Sequence, residues 1–217
     1  MKTFLRNNGL SLALFGLFLL SFLGQAFSGM HKYNDDQNEH GNPTLSFKEY
    51  VKSDDFLEGS AENWESEFLQ LFTFVLLTRF LYQKGSPESR DPEAPEEEIT
   101  DTPPEKYPWP VRKGGLILKL YEHSLSLTFF LLFFISILLH AVGGAGVYNQ
   151  EQLNHGKGEQ VSVLGYLLTS HFWYESMQNW QSEFLSLWAM AFFSIWLREK
   201  ESPESKAVRA SHDETGH

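Results

Sequence analysis

Residues 125–142 read LSLTFFLLFFISILLHAV, a run without a single Asp, Glu, Lys or Arg. As a helix it extends about 27 Å at ~1.5 Å per residue, close to the ~30 Å hydrocarbon thickness of a bilayer. A helix apolar on every side has no face to offer to water, so lipid or protein has to enclose it. Residues 10–27, LSLALFGLFLLSFLGQAF, repeat the pattern. Two more apolar blocks, Trp64–Tyr82 and Trp180–Leu197, open with polar residues, and the first of them carries Arg79. The mean hydropathy of −0.29 conceals these blocks because acidic residues are gathered between them. The patterning predicts an all-α membrane protein with four transmembrane helices, at about 10–27, 64–82, 122–142 and 180–197.

The chain is also written twice. Asn63-Trp64-x-Ser66-Glu67-Phe68-Leu69 returns as Asn179-Trp180-x-Ser182-Glu183-Phe184-Leu185. Tyr33-Asn34-x-Asp36-Gln37-x-x-His40-Gly41 returns as Tyr148-Asn149-x-Glu151-Gln152-x-x-His155-Gly156, and Ser86-Pro87-Glu88-Ser89 as Ser202-Pro203-Glu204-Ser205. The register holds at 115 to 116 residues, with one single-residue slip between His40 and Ser46. Two copies of a span–loop–span hairpin result, residues 6–84 and 119–201. Each copy holds an even number of spans, so both enter from the same side and the repeat is parallel, as two helical hairpins of one bundle. The first block also has the outline of a signal peptide, MKTFLR followed by an apolar run and a small-residue site near Ser28. Its partner, 124–142, is internal and cannot be one, which favours a retained span.

Between the copies, residues 85–115 are rich in Pro and Glu and poor in apolar residues, which predicts a disordered acidic linker. The tail, 202–217, reads the same way. Basic residues decide the orientation. Lys2, Arg6, Lys84, Arg90, Lys106, Arg112, Lys113, Lys119, Arg198, Lys200, Lys206 and Arg209 flank one side, against Lys32, Lys48, Lys52 and Lys157 in the two inter-span loops. The positive-inside rule then puts both termini and the linker in the cytoplasm. A net charge of −11 argues against nucleic acid as a partner. The absence of Cys removes disulfides, thiolate metal sites and cysteine nucleophiles.

Ser60, Asn63 and Glu67, like Ser176, Asn179 and Glu183, are spaced three and four apart and share one helix face. Trp64 and Trp180 sit where interfacial anchors belong. Glu67 and Glu183 fall near the outer hydrocarbon boundary, at the depth of His140, whose counterpart in the first copy is Gln25. A carboxylate there has to be paired, protonated or wet. Two readings stand: a polar clasp between helices, or a site that takes a proton or cation. His40 and His155, with Asp36 and Glu151, offer metal-ligand types, though the simpler reading of the motif is a short helix stopped by Gly41. At the opposite face Arg79 is placed either to pair with Glu122 or to snorkel to the headgroups. Gly143-Gly144-Ala145-Gly146 reads as a turn after the third span. No nucleophile elbow, phosphate-binding glycine loop or zinc-protease motif is present.

The paired NWxSEF and YNxxQxxHG motifs, the SPES segments and the opening RNNGLSL resemble a family of small bacterial membrane proteins catalogued only as a domain of unknown function. The resemblance covers nearly the whole chain outside residues 88–112 and implies a multi-pass protein of the bacterial inner membrane, with no activity, ligand or catalytic residue attached. The expectation is a non-enzymatic protein without cofactors, whose partners are the bilayer and either a second copy or another membrane protein. The alternatives are a small proton- or cation-linked transporter or channel accessory using the paired Glu, and a metal-binding membrane protein.

Overall fold

A computed structural model of the protein describes residues 2–91, 102–156 and 160–216. Among these residues it is entirely helical: α1 (Lys2–Glu39), α2 (Phe47–Tyr50), α3 (Asp54–Phe80), α4 (Trp109–Lys113), α5 (Gly115–Glu122), α6 (Ser124–Asn154), α7 (Val163–Tyr166) and α8 (Ser170–Phe193), with one 3-10 turn at Pro104–Lys106. Two helices, α1 and α6, are long and apolar enough to cross a membrane by length and composition. Little of their apolar surface is covered by protein: 6% of the most apolar stretch of α1 is buried, and 17% of that of α6. Among the described residues α3 and α8 fall short of the same measure, because polar residues occupy their first halves.

Both long helices outrun the predicted spans. The YNxxQxxHG motif is not a separate short helix; it forms the last turns of α1, and its counterpart forms those of α6. Gly41 does end α1, at φ 72°, with the Asn42 N–H bonded to the Gln37 carbonyl at 2.8 Å. Gly143-Gly144-Ala145-Gly146, expected as a turn, lies inside α6. The glycines answer to packing rather than to turning. A Cβ on Gly143 would stand 2.6 Å from the Glu58 backbone nitrogen, so no side chain fits between α6 and the start of α3.

The chain divides into two compact units, Met1–Ala61 with Leu138–Phe172, and Glu62–Ile137 with Trp173–His217. In the first unit, small residues (Ala26, Ala61, Ala141, Ala145) are buried at the helix contacts. An aromatic cluster fills the space around the short helices. Tyr33 and Tyr50 have ring centroids 5.8 Å apart, as do Tyr148 and Tyr166. Tyr50–Phe56 and Tyr166–Phe172 both lie at 5.6 Å. The Asn beside each motif tyrosine clamps a returning loop at two points. Asn34 donates to the Leu45 carbonyl at 2.8 Å and accepts from the Leu45 N–H at 2.7 Å. Asn149 does the same with Val161, at 3.0 and 2.8 Å.

In the second unit, residues 85–91 and 202–216 belong to the expected solvated linker and tail. The described residues instead form connected turns. Ser86 is fully buried and Lys206 nearly so. The Lys206 ammonium donates to the carbonyls of Ser211, His212 and Glu214 at 3.0–3.1 Å. Such a cage replaces the water that a buried ammonium gives up. Ser89 Oγ accepts from the Gln83 N–H, and Ser205 Oγ from the Glu199 N–H. The Gly216 N–H bonds the Ser86 carbonyl at 3.0 Å, which ties the two segments together. Of the predicted acidic linker, residues 92–101 lie outside the described residues, and 102–115 contain the 3-10 turn and α4.

Candidate functional site

The polar stripe of the sequence is divided between the units: Ser60 and His140 fall in the first, and Asn63, Glu67, Ser176, Asn179 and Glu183 in the second. In the second unit the polar residues of α3 and α8 bond across the two helices. Gln70, one turn past Glu67, donates to Ser186 Oγ at 2.7 Å and to the Glu183 carbonyl at 3.0 Å. Trp180 donates its indole N–H to Glu65 Oε1 at 2.9 Å, and Asn179 donates to Glu62 Oε1. Glu67 is exposed and close enough for its charge to act on Glu183. Asn63 is exposed, and Ser176 is buried with no hydrogen-bond partner for its hydroxyl among the described residues.

Trp64 and Trp180 are both half-buried. Trp180 packs edge-on against Trp173 at 6.2 Å and Phe133 at 6.3 Å. Its indole is therefore held by a carboxylate and two rings.

Sequence reasoning missed Glu62 and Glu65, the second of which is fully buried. Matching the two copies hid them, since Gln178 and Gln181 stand at the corresponding positions of the second copy. The signal available was the spacing Glu58, Glu62, Glu65, a second acidic line along the same helix.

In the first unit Ser60 is buried and accepts from Gln25 Nε2 at 3.4 Å. His140 is fully buried, with its ring 4.8 Å from that of Phe172. A His140 ring nitrogen and a Glu58 carboxylate oxygen lie within 4.8 Å of each other, and the Tyr166 hydroxyl donates to Glu58 Oε1 at 3.4 Å. His140 and Glu58 are thus a buried pair that the sequence reading only half identified. His40 and His155 also meet, edge to face at 6.2 Å, with Asn42 donating to Asn154 at 3.3 Å beside them. His40 Nδ1 is bound to the Asp36 carbonyl at 2.9 Å. Among the described residues no convergent set of three His or carboxylate ligands includes either of these two histidines.

Of the two readings of Arg79, the pair with Glu122 does not form. Arg79 lies 3.2 Å from His123 Nδ1 instead, in a recess that Glu122 also lines. Where the SPES segments meet, Glu88 hydrogen-bonds the Glu204 carboxyl, and Glu88 Oε1 is buried without a partner. Burial first, and then the Glu204 carboxyl, push the Glu88 acid up to about 7.

A family catalogued as a domain of unknown function (DUF6766) matches residues 1–217. No curated protein and no solved structure matches the chain.

Proposed function

The chain belongs to that family, whose function is unknown, and from this starting point we propose that it is a non-enzymatic, multi-pass membrane protein built from two parallel hairpins. The reading places α1, α3, α6 and α8 across the bacterial inner membrane, with both termini and the linker inside. The distribution of basic residues supports this orientation. Support for spanning comes from the large apolar side chains exposed along α1 and α6, among them Leu10, Phe15, Leu20, Leu131 and Phe134. The observation that carries the reading is the set of hydrogen bonds by which Gln70, Asn179 and Trp180 link α3 to α8. Each puts a polar group of one helix on a polar partner of the other, which is how polar residues hold helices together in lipid. Glu67 and Glu183 belong to the margin of this clasp.

A second reading, proton or cation passage, draws on the proximity of Glu67 to Glu183. One pair of variants separates the two. Gln70→Leu with Ser186→Ala should lower the thermal midpoint of the detergent-solubilised protein by several degrees, while Glu67→Gln with Glu183→Gln leaves it nearly unchanged. A proton or cation flux in liposomes that disappears in the Glu variant would favour passage. A reporter fused after Gly114 and found outside the cell would overturn the topology.

A further inference from the structure

The repeated Ser-Pro-Glu-Ser segments build the same turn twice. The N–H of Glu88 bonds the Ser86 hydroxyl and that of Glu204 the Ser202 hydroxyl, both at 3.2 Å. The last serine of each segment accepts from a backbone N–H upstream, Ser89 from Gln83 at 2.8 Å and Ser205 from Glu199 at 2.9 Å. Each glutamate thus sits on a braced turn, and within the second unit the two acids meet, hydrogen-bonded carboxyl to carboxyl. An ionised carboxylate only accepts, so such a bond requires one proton between the pair.

The surroundings leave no substitute for that proton. Glu88 Oε1 is buried and has no hydrogen-bond partner, so the contact with Glu204 falls to its other oxygen. Among the described residues, Glu204 is the one charged group that bears on Glu88. Arg90 donates to the Tyr82 hydroxyl, Arg198 to the Ser194 and Ile195 carbonyls, and Lys206 to its three carbonyls. Lys84 is exposed. The charges of Asp213 and Glu214 act on Lys206, and His212 Nδ1 lies 3.1 Å from the Ile195 carbonyl. Ionised Glu88 would therefore hold a buried oxygen with neither donor nor cation, beside a like charge. Water is the remaining partner, and reaching it requires the turn to move.

That turn also walls an apolar recess. Phe74, Leu77, Leu81 and Ala191 line a cavity of about 250 Å³ together with Ser86, Glu88 and Ser89. The Gly216 N–H bonds the Ser86 carbonyl at 3.0 Å, and the Gly85 N–H bonds Thr215 Oγ1 at 2.8 Å, so turn and tail are tied to each other. We propose that Glu88 and Glu204 form a proton-operated latch. One proton held between the carboxyls keeps residues 85–91 against residues 202–216. Its loss to water, through exposed Glu204, releases the turn and uncovers the recess. The latch is independent of the membrane reading, since both acids lie outside the apolar blocks.

Hydrogen exchange of the full chain in detergent, corrected for the intrinsic pH dependence of exchange, tests it between pH 6 and pH 8. With the Glu88 acid pushed up to about 7, one proton changes the opening equilibrium by at most about tenfold over that range. Protection of residues 85–91 and 202–216 should fall together by roughly threefold to tenfold, while α6 keeps its own and reports that each variant is folded. Glu88→Gln supplies an amide donor at every pH and should abolish the loss. Glu204→Gln donates to ionised Glu88 and should weaken it. His212→Gln, which removes the histidine of the tail, should leave it in place. Equal protection at both pH values would overturn the proposal, as would an undiminished loss in Glu88→Gln or a loss abolished in His212→Gln. Closure at pH 6 that fails when divalent cations are chelated would also overturn it, since a metal rather than a proton would then join the pair.

Discussion

Residues 46–56 and 162–172 do the same structural work with different chemistry. Each begins with a serine at a helix start, buries one tyrosine and sets a phenylalanine against it. In the first, the Tyr50 hydroxyl donates to Asp55 at 2.8 Å. In the second, His171 stands at the position of Asp55, and the Tyr166 hydroxyl turns to Glu58. Burial, then Asp55, raises the Tyr50 phenol well above its ordinary value. The scaffold has been kept, and the acids beside it stand in only one of the two corners: Asp54 and Asp55 have Ser170 and His171 as their counterparts. Packing therefore constrains the tyrosine and its glycine neighbour, and leaves the next turn free to diversify.

Breaking the shared packing should give the largest effect. A Cβ on Gly144 would overlap two ring atoms and the hydroxyl of the fully buried Tyr166, whereas on Gly29 it would strike mainly the hydroxyl tip of Tyr50. Gly144→Val is expected to destabilise the fold by about 3 kcal/mol or more, and Gly29→Val by about half as much. Chemical denaturation of both variants measures the difference, and equal losses would mean that the two corners are packed alike. The Asn clamps are the next test. Asn34→Ala and Asn149→Ala each remove two hydrogen bonds, for an expected cost of about 1–2 kcal/mol apiece. Here the two corners should respond equally; a large inequality would show that one loop is held by something else.

The SPES turns offer a smaller contrast, between half-buried Glu88 and exposed Glu204. With its folded pKa near 7 and an unfolded value near 4.5, Glu88 binds a proton in the folded state that it loses on unfolding. Its contribution is fully present below about pH 4.5 and is lost as pH rises through 7. Glu88→Gln should therefore stabilise the protein at pH 8 by about 1 kcal/mol after solvent screening, and leave it unchanged at pH 4.5. Glu204→Gln should have the weaker effect, because burial is the larger cause at Glu88. Thermal melts across that pH range decide it.

The all-helical character was legible because it lies in side-chain patterning: eighteen-residue apolar runs can hardly be anything else. The role of Tyr-Asn was not, because Asn34 and Asn149 act on the backbone of Leu45 and Val161, which no side-chain pattern reports. Gly143 to Gly146 misled because glycine looks the same in a turn as at a close helix contact; only the neighbour, Glu58, distinguishes them. The cage of carbonyls around Lys206 was not legible either, because it leaves no compositional trace. Of the candidate site, Ser60, Asn179 and His140 were singled out by their recurrence or depth. Glu58, Glu62 and Glu65 were passed over because recurrence was the criterion and the second copy has Tyr174, Gln178 and Gln181 in their places.

The two clamps close loops of unequal length: Asn34 reaches 11 residues ahead to Leu45, and Asn149 reaches 12 to Val161. The one-residue slip in the register between the copies falls inside those loops. Because a single amide fastens the far end to the helix, the residues in between can gain or lose members without displacing the short helix downstream. Evolution, or an engineer inserting a tag, thus has one site on each side where chain length is free to vary.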